Sequence, residues 1–166
     1  MRIKGAVTNG SRAWPPPSTF AAVFSKACEY AFRAMVLIAA GSADGGRLTV
    51  QDVAKGTGTP PAFAAKILQK LARARLLHSL KGPGGGYELG PALARKVKLS
   101  DVVKAIDDDS VYKGCALGLT ECSNRNPCPL HDRFIAVRED LQRMLEGTSI
   151  QDLTEGFDPR KPLRLR

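Results

Sequence analysis

Residues 49–89 constrain the fold more than any other part of this chain, because they order two short helices and a glycine-rich hairpin without a break. Thr49-Val-Gln-Asp52 has the form of a capping box with an acid in the last place and opens a short helix through Lys55, which Gly56 and Gly58 close. Thr59 is expected to cap a second helix whose first positions are Pro60 and Pro61, where a missing N–H costs no hydrogen bond. Ala64, Ile67, Leu68, Leu71 and Ala72 line the apolar face of that helix, while Lys66, Lys70 and Arg73 fall elsewhere. Two helices joined by a short glycine-containing turn, the second basic on its outer side, have helix-turn-helix geometry. Residues 76–80 and 87–89 are short strand candidates joined by Lys81-Gly-Pro-Gly-Gly-Gly86, which predicts a β-hairpin with a flexible tip. Directly behind such a helix, a hairpin is a wing. A hairpin with a merely loose turn is the plainer alternative. A phosphate-binding loop is excluded, since neither G-x-x-x-x-G-K-[ST] nor G-x-G-x-x-G is present.

The second constraint is chemical. Cys115, Cys122 and Cys128 are spaced C-x6-C-x5-C, and His131 follows three residues later. Thiols gathered this closely, with no secretory signal, serve metal or cluster chemistry more often than a disulfide framework. Gly114, Gly118, Pro127 and Pro129 flank the cysteines and give the segment loop chemistry. Small buried thiols, or one disulfide, are the plainer reading. Four-thiolate zinc sites usually begin with a tight C-x2-C, which is absent, whereas longer intervals suit a cluster with one ligand from outside the thiol set.

Around these two units the chain reads as one domain with extensions. Residues 1–23 carry Trp14 and Pro15-Pro16-Pro17 with little apolar periodicity and are expected to be a disordered extension. The apolar stretch 20–24 is too short for a signal peptide and runs into a helix bearing Lys26, Glu29 and Arg33; a native start near Val23 is a further expectation. From Ser25, residues Ala27, Tyr30, Ala31, Ala34, Met35 and Ile38 recur at helical spacing until Gly41, with Cys28 expected as a small buried hydrophobe. Ser100 is expected to cap a helix over 101–106, and Asp107-Asp108-Asp109 reads as a solvated helix end. Phe134, Val137, Leu141, Met144 and Leu145 form a stripe along about four turns ending at Gly147. A long helix beside a small winged domain has little to pack on, so it is expected to bury this stripe against the first helix and a second subunit. Ser149-Ile-Gln-Asp152 caps a last short turn. No run approaches the ~18 apolar residues of a membrane span, and the chain reads as soluble and cytoplasmic. Of the net charge of +9, three units lie in residues 1–23 and three in 158–166, so charge alone says little about nucleic acid.

The fold class expected is mainly α: a winged helix-turn-helix with a small β-hairpin wing and a long C-terminal dimerisation helix. The divisions are 1–23 extension, 24–106 winged-helix DNA-binding domain, 107–131 cluster-binding loop, 132–156 dimerisation helix and last turn, and 157–166 basic tail. Ser25-Lys26-Ala-Cys-Glu29-Tyr30-Ala31, the wing Lys81-Gly-Pro-Gly-Gly-Gly-Tyr-Glu-Leu89, Leu99-Ser-Asp-Val-Val103 and the three-cysteine loop together resemble the Rrf2 family of bacterial transcription regulators, over roughly residues 24–156.

That resemblance implies a homodimer on double-stranded operator DNA, acting as a repressor, with an iron-sulfur cluster, 2Fe-2S or 4Fe-4S, near the dimer interface. Cys115, Cys122 and Cys128 match the family's cluster thiolates. His131 matches the loop histidine of IscR-like members, and Glu29 matches the helix-one carboxylate that NsrR-like members supply from the opposite subunit. The first interval here is x6 where familiar members have x5, and Arg33 stands where some two-iron relatives have histidine. The candidate DNA contacts are Lys26, Thr59, Pro60, Phe63, Lys66, Lys70, Lys81, Gly84, Gly85, Gly86 and Tyr87, with His78 as a structural or phosphate-contacting residue. From another class comes a zinc-stabilised Cys3His structural or interaction protein. An enzyme is disfavoured, since no nucleophile–base pair or paired catalytic carboxylates can be read.

Overall fold

The computed structural model describes residues 23–113, 123–125 and 127–155. Helix α1 (Lys26–Gly41) begins where Ser25 adopts an extended conformation and its Oγ accepts from the Cys28 N–H at 3.1 Å. Cys28, Ala31, Met35 and Ile38 follow at intervals of three and four and are all fully buried, so one face of the helix is core along its whole length. Most of that face is small, which lets several neighbours approach closely. The helices over Val50–Thr57, Pro61–Arg73, Leu99–Asp107 and Ile150–Glu155 and the strand over Gly86–Glu88 all pack on α1.

The helix-turn-helix consists of α2 (Val50–Thr57) and α3 (Pro61–Arg73). The predicted capping box is present: Thr49 Oγ1 accepts from Asp52 N at 3.2 Å, and the Asp52 carboxylate accepts from Thr49 N at 2.8 Å. Two boundaries need correction. Gly56 lies inside α2, where a Cβ would collide with the Leu37 side chain; the left-handed Gly58 ends the helix. Thr59 does not cap α3, whose N-cap is Pro60. Instead Thr59 is buried, its hydroxyl 2.8 Å from Thr57 Oγ1. Thr57 spends its own proton on Val53 O at 2.7 Å, so Thr59 is the donor in that pair. A buried hydroxyl pair therefore sets the turn between the two helices.

Strands β1 (His78–Leu80) and β2 (Gly86–Glu88) form the hairpin in register His78↔Glu88, Ser79↔Tyr87 and Leu80↔Gly86, the first strand shorter than the sequence suggests and the second shifted by one residue. Its tip turns at Pro83 and Gly84 (φ +73), with Gly85 N donating to Gly82 O at 2.9 Å. The wing is not a free flap. Leu48 and Tyr87 exchange both backbone hydrogen bonds, at 3.0 and 2.8 Å, and Leu89 N donates to Ser42 Oγ at 3.1 Å just past the end of α1. Gly86, at φ +151, sits so close to the facing strand that a Cβ would lie 2.8 Å from Leu48 O.

Helix α4 (Pro91–Lys96) has no counterpart in the sequence expectations, although Gly90-Pro91 is a recognisable helix start. Helix α5 (Leu99–Asp107) begins two residues earlier than predicted: the Asp101 carboxylate accepts from Lys98 N at 2.8 Å, and Ser100 lies inside the helix. A 3-10 turn (Ser110–Tyr112) follows. Helix α6 (His131–Gly147) buries Leu145 but leaves Val137 57% and Met144 50% exposed. It packs chiefly on α5, while the place expected for it on α1 is taken by α7 (Ile150–Glu155). The Ser149–Asp152 cap of α7 is present, with mutual hydrogen bonds of 2.7 and 3.2 Å. Hydrogen bonds from Thr49 and from Ser149 hold the Asp52 and Asp152 carboxyls below their ordinary range, so both caps weaken as pH falls through that lowered range. No helix among the described residues is long and apolar enough to cross a membrane.

Opposite signs are expected for one substitution at two glycines. Gly86→Ala should destabilise by about 2 kcal/mol through a left-handed side chain pressed on Leu48 O. Gly147→Ala, a helical position with open space around it, should stabilise by about 0.5–1 kcal/mol. Urea denaturation of both variants checks the pair, and equal or reversed effects would contradict the wing packing described above.

Candidate functional site

Cys115 and Cys122 lie outside the described residues, so the loop is seen from its two ends. At the far end Cys128 is a half-buried free thiol, and its carbonyl accepts from His131 N at 2.9 Å as the chain turns into α6. His131 is only 5% exposed. Its Nε2 lies 2.6 Å from Asn124 Oδ1, so the ring is turned back toward the segment between the second and third cysteines. With a carbonyl-type oxygen opposite, Nε2 is the donor, and that bond would have to open before Nε2 could hold a metal.

At the near end the first turns of α1 meet the last turn of α5. Glu29 is half-buried; its carboxylate lies 2.9 Å from Lys26 Nζ and 3.9 Å from an Arg33 guanidinium nitrogen. Arg33 also donates from Nε to Glu29 O at 3.1 Å and stacks 4.7 Å from the Tyr30 ring centroid. Among the described residues no three potential ligands come together. The donor set still fits an iron-sulfur or zinc centre in kind: three thiols in one loop, with an imidazole or a carboxylate as the remaining donor.

Asp107 is the residue the sequence reading undervalued. Rather than a solvated end, its carboxylate accepts from Ser25 Oγ at 2.5 Å and from Ser25 N at 3.2 Å. A carboxylate at the C-terminus of its own helix is unfavourable, but here it faces the N-terminus of α1, where negative charge is favoured. Cys28 is fully buried, as expected, and its thiol is pushed up to about 12, first by burial and then by the charge and hydrogen bond of Asp107. After Asp107 the chain reverses through two left-handed aspartates, Asp108 (φ 52) and Asp109 (φ 59), into the 3-10 turn. Tyr112 buries its hydroxyl there with no hydrogen-bond partner among the described residues, and burial raises its pKa, reinforced by Asp109. Arg138 of α6 donates to Tyr112 O at 3.2 Å, closing the frame from which the cysteine segment departs.

The candidate DNA contacts divide by burial. Pro60, Lys66, Lys70, Lys81 and Gly84 are exposed, whereas Thr59 is buried in the turn. Phe63 is half-buried, its ring edge-on to Tyr30 with centroids 5.4 Å apart. Gly85, Gly86 and Tyr87 are half-buried and serve the wing's own packing; a Cβ on Gly85 would strike Leu80 O. Lys26 is exposed but engaged with Glu29. His78 is exposed and faces Glu88 across the hairpin, and the Glu88 carboxylate lies 2.7 Å from Arg47 Nε.

Residues 24–156 match the Rrf2 family, described as an iron-dependent transcriptional regulator. A protein of Mycobacterium tuberculosis named as an HTH-type transcriptional regulator is 33% identical over 142 residues, covering 85% of this chain and 86% of its own. The HTH-type transcriptional regulator IscR of Yersinia pseudotuberculosis is 27% identical, covering 78% and 77%. Among solved structures, CymR, the global cysteine regulator of B. subtilis, superposes with a TM-score of 0.66 at 18% identity, over 81% of this chain and 98% of that one. IscR of T. potens gives 0.62 at 18% identity, over 82% and 89%. At such identities these two structures speak for the fold.

The contrast between the two described thiols can be measured. With a pKa near 12, Cys28 is thiolate to only about one part in ten thousand at pH 8. Alkylation of the native, metal-free chain at pH 8 followed by peptide mass mapping should label Cys128 and leave Cys28 unmodified until denaturant is added. Labelling of Cys28 at the rate of Cys128 would contradict its burial against Asp107.

Proposed function

Because the chain belongs to the Rrf2 family of transcriptional regulators, we propose that it binds operator DNA as a homodimer in the cytoplasm and acts as a repressor whose affinity follows the state of an iron-sulfur cluster. The observation that carries the DNA reading is the joining of α3 to a wing held by backbone hydrogen bonds, both presenting exposed cations at Lys66, Lys70 and Lys81. In this reading the start of α3, with Pro60, Phe63 and Lys66, enters the major groove. Lys81 and the Gly84–Gly85 tip approach the neighbouring minor groove or its phosphates. Thr59, Gly86 and Tyr87 contribute by fixing the turn and the wing. Val137 and Met144, seven residues apart on α6 and exposed, supply the apolar strip for a second subunit.

Cys115, Cys122 and Cys128 would hold the cluster, with Glu29 of the partner subunit or His131 completing it. Such a cluster would supply an iron site open to oxygen, nitric oxide or another small molecule at its one non-thiolate position. Glu29 is the better candidate, because its close partner is the exposed Lys26, whereas His131 is buried and held by its backbone to Cys128 and by its ring to Asn124. To reach a ligand position Glu29 must leave Lys26, which frees that lysine for a phosphate. Release of the 107–131 segment would alter the hold of Asp107 on the start of α1, and with it the spacing of the two recognition helices. A few kcal/mol of differential affinity is enough to switch occupancy.

The test is anaerobic purification of the full chain with iron, sulfide and absorption measurements. A brown protein with matched iron and sulfide is expected; a colourless zinc protein would replace this reading with the Cys3His structural one. Native mass measurement of Glu29→Ala and His131→Ala should show cluster loss in the first, and full, equally stable loading there would defeat the cross-subunit ligand. On operator DNA selected from genomic fragments by the full chain, Lys66→Ala should weaken binding about tenfold without unfolding, and Lys81→Ala should lower the salt slope by about one. Unchanged affinity and slope in both would overturn the docking.

A further inference from the structure

Three non-glycine residues among the described ones have positive φ, and two of them are aspartates, a type that tolerates this conformation. The third is Arg75, at φ 60, between α3 and β1. Helix α3 ends in a Schellman motif around it: Leu76 N donates to Leu71 O and Arg75 N to Ala72 O, both at 3.0 Å. Glycine would make the same two hydrogen bonds without placing a Cβ in the left-handed region, so the fold gains nothing from arginine there. The guanidinium is exposed, and Arg75 makes no ion pair among the described residues.

It also continues a line. Lys66, Lys70 and Arg73, spaced four and three apart, share one exposed face of α3 and are equally without acidic partners among the described residues. They run about 10 Å along the helix, and Arg75 carries the charge past its end to the foot of the wing. Cations of one sign, aligned and unopposed, repel one another in the free protein and gain only when a polyanion lies along them.

We propose that Arg75, together with Arg73, binds the DNA phosphates flanking the groove that α3 occupies, extending the contact from the recognition helix to the foot of the wing. The inference rests on the DNA-binding reading above. It names a backbone-contact residue whose side chain is retained at the expense of fold stability.

Three variants of the full chain test it: Arg75→Gly, Arg75→Asn and Arg75→Lys, with Lys66→Ala as the reference for docking itself. Arg75→Gly should lower the unfolding constant about threefold. Operator affinity should fall about three- to tenfold in both Arg75→Gly and Arg75→Asn, with the salt slope lower by about one, while Arg75→Lys keeps the slope. Parental affinity and slope in Arg75→Gly, with Lys66→Ala still weakened, would place Arg75 outside the interface and overturn the proposal while leaving the DNA reading intact. Loss of stability in Arg75→Gly would equally overturn it, by giving the arginine a structural role. Unchanged binding in Lys66→Ala as well would instead remove the docking on which the inference rests.

Discussion

Burial of one face of α1 is the interaction on which the other elements depend. Cys28, Ala31, Met35 and Ile38 are fully buried, and helices α2, α3, α5 and α7, all later in the sequence, close over this face. Removing a side chain such as Met35 would leave a cavity costing about 2–5 kcal/mol, a large part of the stability of a domain this size. Small residues on the same face matter as much as large ones, because Ala31 and Ala34 let the backbones of neighbouring helices come close. The result is a rod of about 24 Å whose two ends serve different tasks. Its N-terminus is fastened through Ser25 to Asp107, at the root of the cysteine segment; just past its C-terminus Ser42 is fastened to Leu89, at the base of the wing.

That arrangement gives a physical route between the root of the cysteine segment and the helix-turn-helix without requiring a flexible hinge. A displacement at Asp107 acts on the cap of α1, and α1 is in contact with both α2 and α3. Asp108 and Asp109 reverse the chain at this junction in the left-handed conformation that their short polar side chains tolerate. The wing, in contrast, is fixed. Its Leu48–Tyr87 bridge and the close approach at Gly86 tie it to the residues just before α2, so the wing is anchored to the start of the helix-turn-helix.

Much of the fold was legible because it is written in local rules. Thr49 and Ser149 announced their caps through an acid three residues on, the apolar period located α1, α3 and α6, and Pro83-Gly84 announced the tip of the hairpin. The errors are local too, but of another kind. Thr59 and Ser100 look like caps, yet a hydroxyl at a helix start can turn inward: Thr59 does so toward Thr57, and Ser100 yields to the backbone of Lys98 bonded by Asp101. Helix α4 was overlooked because six residues are too few to display a period. The candidate site was legible as chemistry, in the thiol spacing and the basic face of α3, but not as geometry.

The order of the elements other than α4, the caps at Thr49 and Ser149, the glycine-dependent hairpin and the inventory of thiols follow from the sequence alone, since each depends on residues a few positions apart. The closed fold was needed to show that α7 rather than α6 lies on α1 and that Asp107 holds the start of α1 eighty-two residues away. These depend on which surfaces meet once the chain is closed. Helical periodicity says that a face will be buried but not against what, and a carboxylate's partner across the fold leaves no mark on its neighbours in sequence.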